Sequence, residues 1–260
     1  GLFTTVAFLL AKNSDLSFGE VPIVHLPLYY LSFLLLLFFH ELGHASASYA
    51  YGINPKEIAF GIYLVFPVLY TNVSSIWELN TYKRTVVNVA GIYFQLIANI
   101  FLVFAVVLGI GTSVMTVIFI LNSISITVSL LPFIKYDGYW IFSDLTGITN
   151  LNRKSNDLLL QWITPGDKLN TVNRVLLIYT VLKVFFWLAI YLSASWFLIN
   201  KVTSTVTSLS SIKHSVTIQI AESIMLFILV IFFAVNAILK FLKSLAHARK
   251  RISGQQKADI

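Results

Sequence analysis

The sequence predicts an all-α polytopic membrane protein with about five transmembrane helices, an N-terminal helix stub and a short membrane re-entrant β element. Its 260 residues are 57% hydrophobic and only 11% charged, about half the charged fraction of a soluble domain. Several apolar stretches reach the roughly 20 residues that a helix needs to cross a bilayer. Because no repeat or low-complexity linker interrupts them, we expect one membrane domain over 1–260, with a core at 22–140 and further helices and a basic tail at 141–260.

The predicted spans are apolar stretches separated by polar residues, glycine and proline. They run over about 22–51, 86–108, 112–133, 175–199 and 216–242. The apolar residues Gly1–Ala11 are interpreted as the end of a helix from a longer or trimmed chain. The segment Glu57–Val73 is rich in Ile, Tyr, Val and Phe, but Gly61 and Pro67 interrupt it, which predicts extended re-entrant structure. Since irregular backbone survives at membrane depth only inside protein or beside a cavity, this segment is a candidate wall of a site.

The net charge of +7 is concentrated in clusters that predict the orientation of the spans. Placing the basic tail Lys240–Lys257 in the cytoplasm and counting back through the spans puts Lys83 and Arg84 on the same side. Such clusters in a membrane protein indicate topology and contact with the lipid bilayer, so no nucleic-acid partner is expected. Cysteine is absent, which leaves His, Asp and Glu as the side chains for a zinc site.

The run His40-Glu41-Leu42-Gly43-His44 ends an apolar stretch with no Asp, Glu, Lys or Arg between Val21 and Phe39. Positions i and i+4 of a helix share a face, so both imidazoles can reach one zinc ion, and Glu41 can take a proton from water. Ionisable groups at membrane depth are costly and indicate function. The alternative is an interhelical hydrogen-bond cluster without a metal.

A zinc site needs at least one more protein ligand. The acidic candidates in the same leaflet are Asp137, Asp144 and Glu57. Asp137 lies between Pro132 and Gly138, where a span ends and a carboxylate can point back into the bundle, so its position favours it. Asp144 and Glu57 remain alternatives, and Asp137 could instead cap the next helix. The orientation predicted from the basic clusters brings Asp137 and the His-Glu run to the cytoplasmic side.

The His40-Glu41-Leu42-Gly43-His44 run, together with Leu131-Pro132 and Asp137-Gly138, resembles the two signatures of the site-2 protease family of intramembrane zinc metalloproteases. Residues 132–140 are also similar to a bacterial subgroup of peptide zinc metalloproteases. The resemblance implies Zn²⁺ held by His40, His44 and Asp137, and Glu41 as the catalytic base. It also implies that the β element aligns the substrate, and that the protein lies in a bacterial cell membrane.

Three positions depart from the family pattern: Ile92 stands where the family often has proline, and Gln95 and Ser129 are the candidates for substrate binding. Gln95, in the string from Gly91 to Gln95, stands where the family often has an asparagine, and Ser129 stands near another common asparagine. Both side chains can form hydrogen bonds with a substrate backbone. The alternative for Gln95 is a helix–helix contact shared with Asn99, one turn away.

The expected activity is intramembrane proteolysis by zinc-activated water. The substrate would be a membrane-associated peptide or leader peptide, in maturation or export alongside other membrane proteins. The alternative is a non-proteolytic membrane component, either a metal carrier or a peptide-export subunit that keeps the fold. A transporter would distribute polar residues along a path through several spans, whereas this chain clusters them at one depth, which favours the protease.

Overall fold

The computed structural model describes residues 25–63, 66–110, 112–163 and 173–209. The chain divides into two compact units, Gly1–Thr149 and Asn150–Ile260. The predicted helix stub, the predicted fifth span and the basic tail fall outside the described residues, and the prediction of a single membrane domain stays a prediction.

Helix α1, Leu26–Ala50, carries the His-Glu run near its C-terminal end. Proline in its first turn suits a position where the backbone N–H has no helical partner. The helix ends where Gly52 takes a φ of +81°, a conformation that glycine adopts without a Cβ penalty. The helix agrees with the predicted first span to within a few residues.

Two strands follow α1, in the segment predicted to be extended. Strand β1, Ile58–Tyr63, pairs antiparallel with β2, Phe66–Thr71, in a register that sets Ile58 opposite Thr71. Strand β2 packs against α1. A 3-10 helix, Ser74–Glu78, leads from this hairpin to the next α-helix. The strands are therefore present, while their position at membrane depth stays a prediction.

Helix α2 spans Thr81–Val107 and begins five residues before the predicted span. The Asn80 side chain accepts a hydrogen bond from the Lys83 amide at 3.0 Å, which caps the helix in its polar first turn. Hydropathy locates only the apolar part of a helix, and this polar turn lies outside it.

Helix α3, Thr112–Ser129, ends four residues before the end of the predicted span, because the chain turns ahead of Pro132. Helix α4, Asp137–Thr146, follows and ends at Gly147 with φ +67°. The second unit contains α5, Leu151–Ile163, and α6, Arg174–Leu209.

Three of the described helices are long and apolar enough to cross a membrane: α1, α2 and the part of α6 from Arg174 to Lys201. Residues Ser113–Ser129 of α3 form a shorter apolar helix. The described residues are thus mostly helical and consistent with a membrane protein, and the expected count of about five spans is not confirmed.

Helices α1 and α2 cross with their backbones in contact. A Cβ built on Gly43 would lie 2.4 Å from the Ala90 carbonyl oxygen and 2.9 Å from the Gly91 Cα, so only glycine fits there. Close approach through small residues is a known mode of helix packing in membranes. The core of the first unit is formed by buried residues of α2, α3 and α4: Val87, Ile92, Phe119, Ile126 and Tyr139.

In the second unit, Lys183 of α6 is buried against one face of α5. Its ammonium donates to Asn152 Oδ1, to Asn156 Oδ1 at 2.7 Å and to Ser155 Oγ at 3.4 Å. A buried ammonium needs its three donors satisfied, and here three oxygens spaced along one face of α5 accept them. This contact joins α5 to α6.

Candidate metal centre

His40 and His44 are buried on one face of α1, with 8% and 7% of their surfaces exposed. Their Nε2 atoms lie 3.1 Å apart. The separation of four residues along a helix stacks the two side chains one turn apart, so the local sequence alone brings these nitrogens together.

The other ring nitrogen of each histidine is tied to α2. His40 Nδ1 lies 2.9 Å from Gln95 Oε1, and His44 Nδ1 lies 2.8 Å from the Val87 carbonyl oxygen. Both partners only accept, so each Nδ1–H donates. In the neutral rings, both Nε2 atoms then present lone pairs to the same point, the arrangement that metal-binding histidines use.

Asp137, the first residue of α4, reaches the same point from another part of the chain. Its Oδ2 lies 3.1 Å from His40 Nε2, and its Oδ1 lies 3.4 Å from His44 Nε2. A Cβ on Gly138 would lie 2.2 Å from the Leu130 carbonyl oxygen, so glycine permits the tight approach of α4 to the end of α3.

These three side chains fit a zinc ion. One ligand atom from each lies within 4.8 Å of the others. Zinc–ligand bonds of about 2.0–2.1 Å in a tetrahedral site place neighbouring ligand atoms about 3.3–3.4 Å apart. The two Nε2 atoms lie 3.1 Å apart, and each is close to that spacing from one Asp137 oxygen, at 3.1 Å from Oδ2 for His40 and at 3.4 Å from Oδ1 for His44. Two imidazoles and one carboxylate are also a known donor set for catalytic zinc.

The Glu41 carboxylate is buried beside this group and is held by the hairpin. Thr71 Oγ1 lies 2.7 Å from Glu41 Oε2 and 3.0 Å from the Glu41 carbonyl oxygen. One hydroxyl at the end of β2 therefore reaches both the carboxylate and the backbone of the same residue. Thr71 was not a predicted site residue, because it reaches Glu41 only through the packing of β2 against α1.

Gly91 on α2 lies directly against the imidazole pair. A Cβ at this position would lie 2.6 Å from His44 Nε2, 2.7 Å from His40 Nε2 and 2.7 Å from His40 Cε1. The absence of a side chain thus leaves the space in which the two ligand nitrogens converge.

Gln95, predicted to bind substrate, is fully buried between α2 and α3. Its Oε1 accepts from His40, and its Nε2 lies 3.0 Å from Asn122 Oδ1 and 3.3 Å from Ser125 Oγ. The helix–helix alternative describes these contacts. Ser129, the other predicted substrate residue, is the half-buried last residue of α3. A role for either residue in substrate binding stays a prediction.

The two alternative acidic ligands lie elsewhere. Asp144 pairs with Arg84, whose Nη2 and Nε lie 2.7 Å and 3.0 Å from Asp144 Oδ1. Asp144 follows Asp137 by two helical turns on the same face of α4, so this ion pair holds α4 against α2. Glu57 is exposed before β1. Among the described residues, the group that can hold a metal contains His40, His44 and Asp137.

No family model and no solved structure matches the chain. The chain is similar to the Bacillus subtilis (strain 168) protein named "Putative peptide zinc metalloprotease protein YydH". The two are 25% identical over 145 residues, which are 54% of this chain and 58% of the relative. The chain thus spans less than two thirds of the length of that relative. Beside a His-His-Asp group that can hold a metal ion, this distant similarity supports a relationship to zinc metalloproteases at most.

Proposed function

We propose that this chain is an intramembrane zinc metalloprotease of the site-2 type, which cleaves a membrane-associated peptide or leader peptide. The observation that carries the proposal is the convergence of His40, His44 and Asp137 with a buried Glu41 beside them. The similarity to a protein named as a peptide zinc metalloprotease supports the same chemistry. A metal carrier would need the ligands but would have no use for the adjacent carboxylate.

In this proposal the ligands and the base have separate tasks. His40, His44 and Asp137 would hold Zn²⁺, which when bound polarises a peptide carbonyl and lowers the pKa of water. Glu41 accepts the proton of the water that attacks the scissile carbonyl and returns it to the leaving amine. The Thr71 hydroxyl bonds Glu41 Oε2 at 2.7 Å and so fixes the direction of the carboxylate.

The hairpin gives a means of presenting the substrate. A helical peptide hides its carbonyls in hydrogen bonds, so the bond to be cut must be extended locally. A strand added to an edge of the β1–β2 sheet would be held in that form through main-chain hydrogen bonds. Because β2 packs against α1 and its last residue contacts Glu41, such a strand would lie near the base.

The setting of the reaction is also part of the proposal. The length and apolar composition of α1 and α2 support a location of the His-Glu run in a bilayer, and the basic clusters support an orientation towards the cytoplasmic side. The membrane in this proposal is a bacterial cell membrane. Partners would be the peptide substrate, the lipid and other membrane proteins of a peptide export system.

The test compares peptides from cells that express the wild type, Glu41→Gln or Glu78→Gln. Glu41→Gln keeps the size of the side chain and removes the base, so cleavage products seen by mass spectrometry should be lost while zinc content is retained. Glu78, exposed at the end of the 3-10 helix, is the matched control and should cleave like the wild type. Products retained in Glu41→Gln would refute the assignment of the base.

The ligand set is tested by zinc content. Asp137→Ala should lower the zinc bound per chain, measured by elemental analysis after purification. An unchanged stoichiometry would remove Asp137 from the ligands.

A further inference from the structure

A chain of side-chain hydrogen bonds runs between α2 and α3 and ends at His40. Asn99 Nδ2 lies 3.1 Å from Ser123 Oγ, and Asn122 Nδ2 lies 2.8 Å from Asn99 Oδ1. Gln95 Nε2 lies 3.0 Å from Asn122 Oδ1, and Gln95 Oε1 accepts from His40 Nδ1 at 2.9 Å. Gln95 and Asn122 are fully buried, and Asn99 is 2% exposed. Water therefore does not compete for these groups.

Two backbone carbonyls fix which group donates and which accepts in this series of side-chain hydrogen bonds. Asn122 Nδ2 also donates to the main-chain oxygen of Gln95 at 3.0 Å, and the Ser123 hydroxyl donates to the Phe119 carbonyl oxygen at 2.7 Å. A carbonyl only accepts, so Asn122 must turn its NH₂ group towards the Gln95 backbone. Its Oδ1 then faces the Gln95 side chain and accepts from Nε2.

The orientation of the Gln95 amide decides which nitrogen of His40 carries the proton. With Oε1 towards His40, Nδ1 holds the proton and Nε2 is free to bind a metal. If the amide were reversed, its NH₂ group would face Nδ1, the ring proton would sit on Nε2, and His40 could not be a ligand through that atom. His44 has no such dependence, because the Val87 backbone carbonyl fixes its Nδ1–H directly.

We propose that Asn122 is a positioning residue that sets the ligating tautomer of His40 through the side-chain amide of Gln95. The proposal rests on the zinc-binding role of His40 in the proposed function. Asn122 touches neither the ligand atoms nor the base, and its effect reaches the site only through Gln95.

The test measures zinc affinity of the purified full chain by competition with a chelator. Asn122→Leu removes the acceptor that orients Gln95, since the remaining partner, Ser125 Oγ at 3.3 Å, can donate or accept and suits either orientation. It should weaken zinc binding by about 10- to 100-fold, the usual cost of losing a partner behind a ligand. Asn122→Asp still accepts from Gln95 Nε2, although it loses the donor group that ties α2 to α3. It should bind zinc close to the wild-type level.

A second background separates orientation from packing. In Gln95→Glu both terminal atoms accept hydrogen bonds, so no amide orientation has to be chosen. Adding Asn122→Leu to Gln95→Glu should therefore cause no further loss of zinc affinity, although it removes the same packing. The thermal unfolding temperature of the zinc-free variants measures the effect of each substitution on the stability of the fold, separately from zinc binding.

Three results would overturn the proposal: unchanged zinc affinity in Asn122→Leu, an equal loss in both backgrounds, or a large loss in Asn122→Asp. The Asn122→Asp measurement tests the proposal even if Asn122→Leu fails to fold. Absence of zinc binding by the wild type would instead overturn the metal centre itself and the tautomer proposal with it.

Discussion

Gly91→Ala should strongly weaken zinc binding while leaving the fold intact. The added Cβ would lie 2.6 Å from His44 Nε2 and 2.7 Å from His40 Nε2, whereas ordinary contact begins at 3.4 Å. The two nitrogens must therefore retreat by about 0.8 and 0.7 Å. Metal sites tolerate deviations of about 0.2 Å, so both ligands move out of range.

The expected loss of zinc affinity follows from this displacement. Substitutions behind a single ligand cost about 10- to 100-fold in affinity, and this one displaces two ligands. We therefore expect a loss of about 100-fold or more, equal to about 2.7 kcal/mol of binding free energy. Alanine is favoured over glycine inside a helix by about 1 kcal/mol, and the atoms that must move belong to side chains, so the zinc-free protein should remain folded.

Chelator competition measures the affinity, and thermal unfolding without zinc measures the fold. Gly43→Ala gives the contrast: its Cβ meets the Ala90 backbone at 2.4 Å, so it should lower the unfolding temperature. Wild-type zinc affinity in Gly91→Ala would refute the placement of the imidazoles against α2.

The remaining predictions concern three other contacts. Thr71→Val should retain zinc but lose part of the 10²–10⁴-fold that a positioned base supplies, with Thr71→Ser restoring cleavage; equal rates in Val and Ser would contradict a role in orienting Glu41. Arg84→Met leaves the buried Asp144 carboxylate without its partner and should destabilise the protein by about 3–5 kcal/mol in thermal or denaturant unfolding, most of which Asp144→Asn in the same chain should recover. Lys183→Met removes the donor to the buried Ser155 and the half-buried Asn156 on α5 and should cost about 1–3 kcal/mol; an unchanged unfolding midpoint would show that this contact does not stabilise the second unit.

The proximity of the central site residues could be expected from the sequence, while their roles as ligands and base stay predictions. His40 and His44 lie on one face by helical periodicity, and Glu41 lies beside them. Asp137 follows from the end of a span and from the distribution of basic residues. The structure brings His40, His44 and Asp137 together, and Asp144 is instead engaged by Arg84.

The surroundings of the site could not be predicted, because they depend on how the helices are rotated against one another. Gln95 is a polar residue in an apolar span, and sequence alone does not tell whether such an amide meets a substrate, a neighbouring helix or a ligand. Asn122 becomes informative only once α3 is known to face Gln95. Gly91 illustrates the same limit, since its importance lies in the two rings that occupy the space beside it.

The backbone contact at Gly43 has a kinetic consequence for any ion held at this point. The two imidazoles project from α1, and their outer nitrogens are fastened to α2, so neither helix can withdraw without breaking that crossing. Asp137 would be the ligand from elsewhere, delivered by the non-helical residues 130–136. If these side chains hold an ion as proposed, its release would begin with the carboxylate, and the stiffness of that short connection would set how long the ion stays.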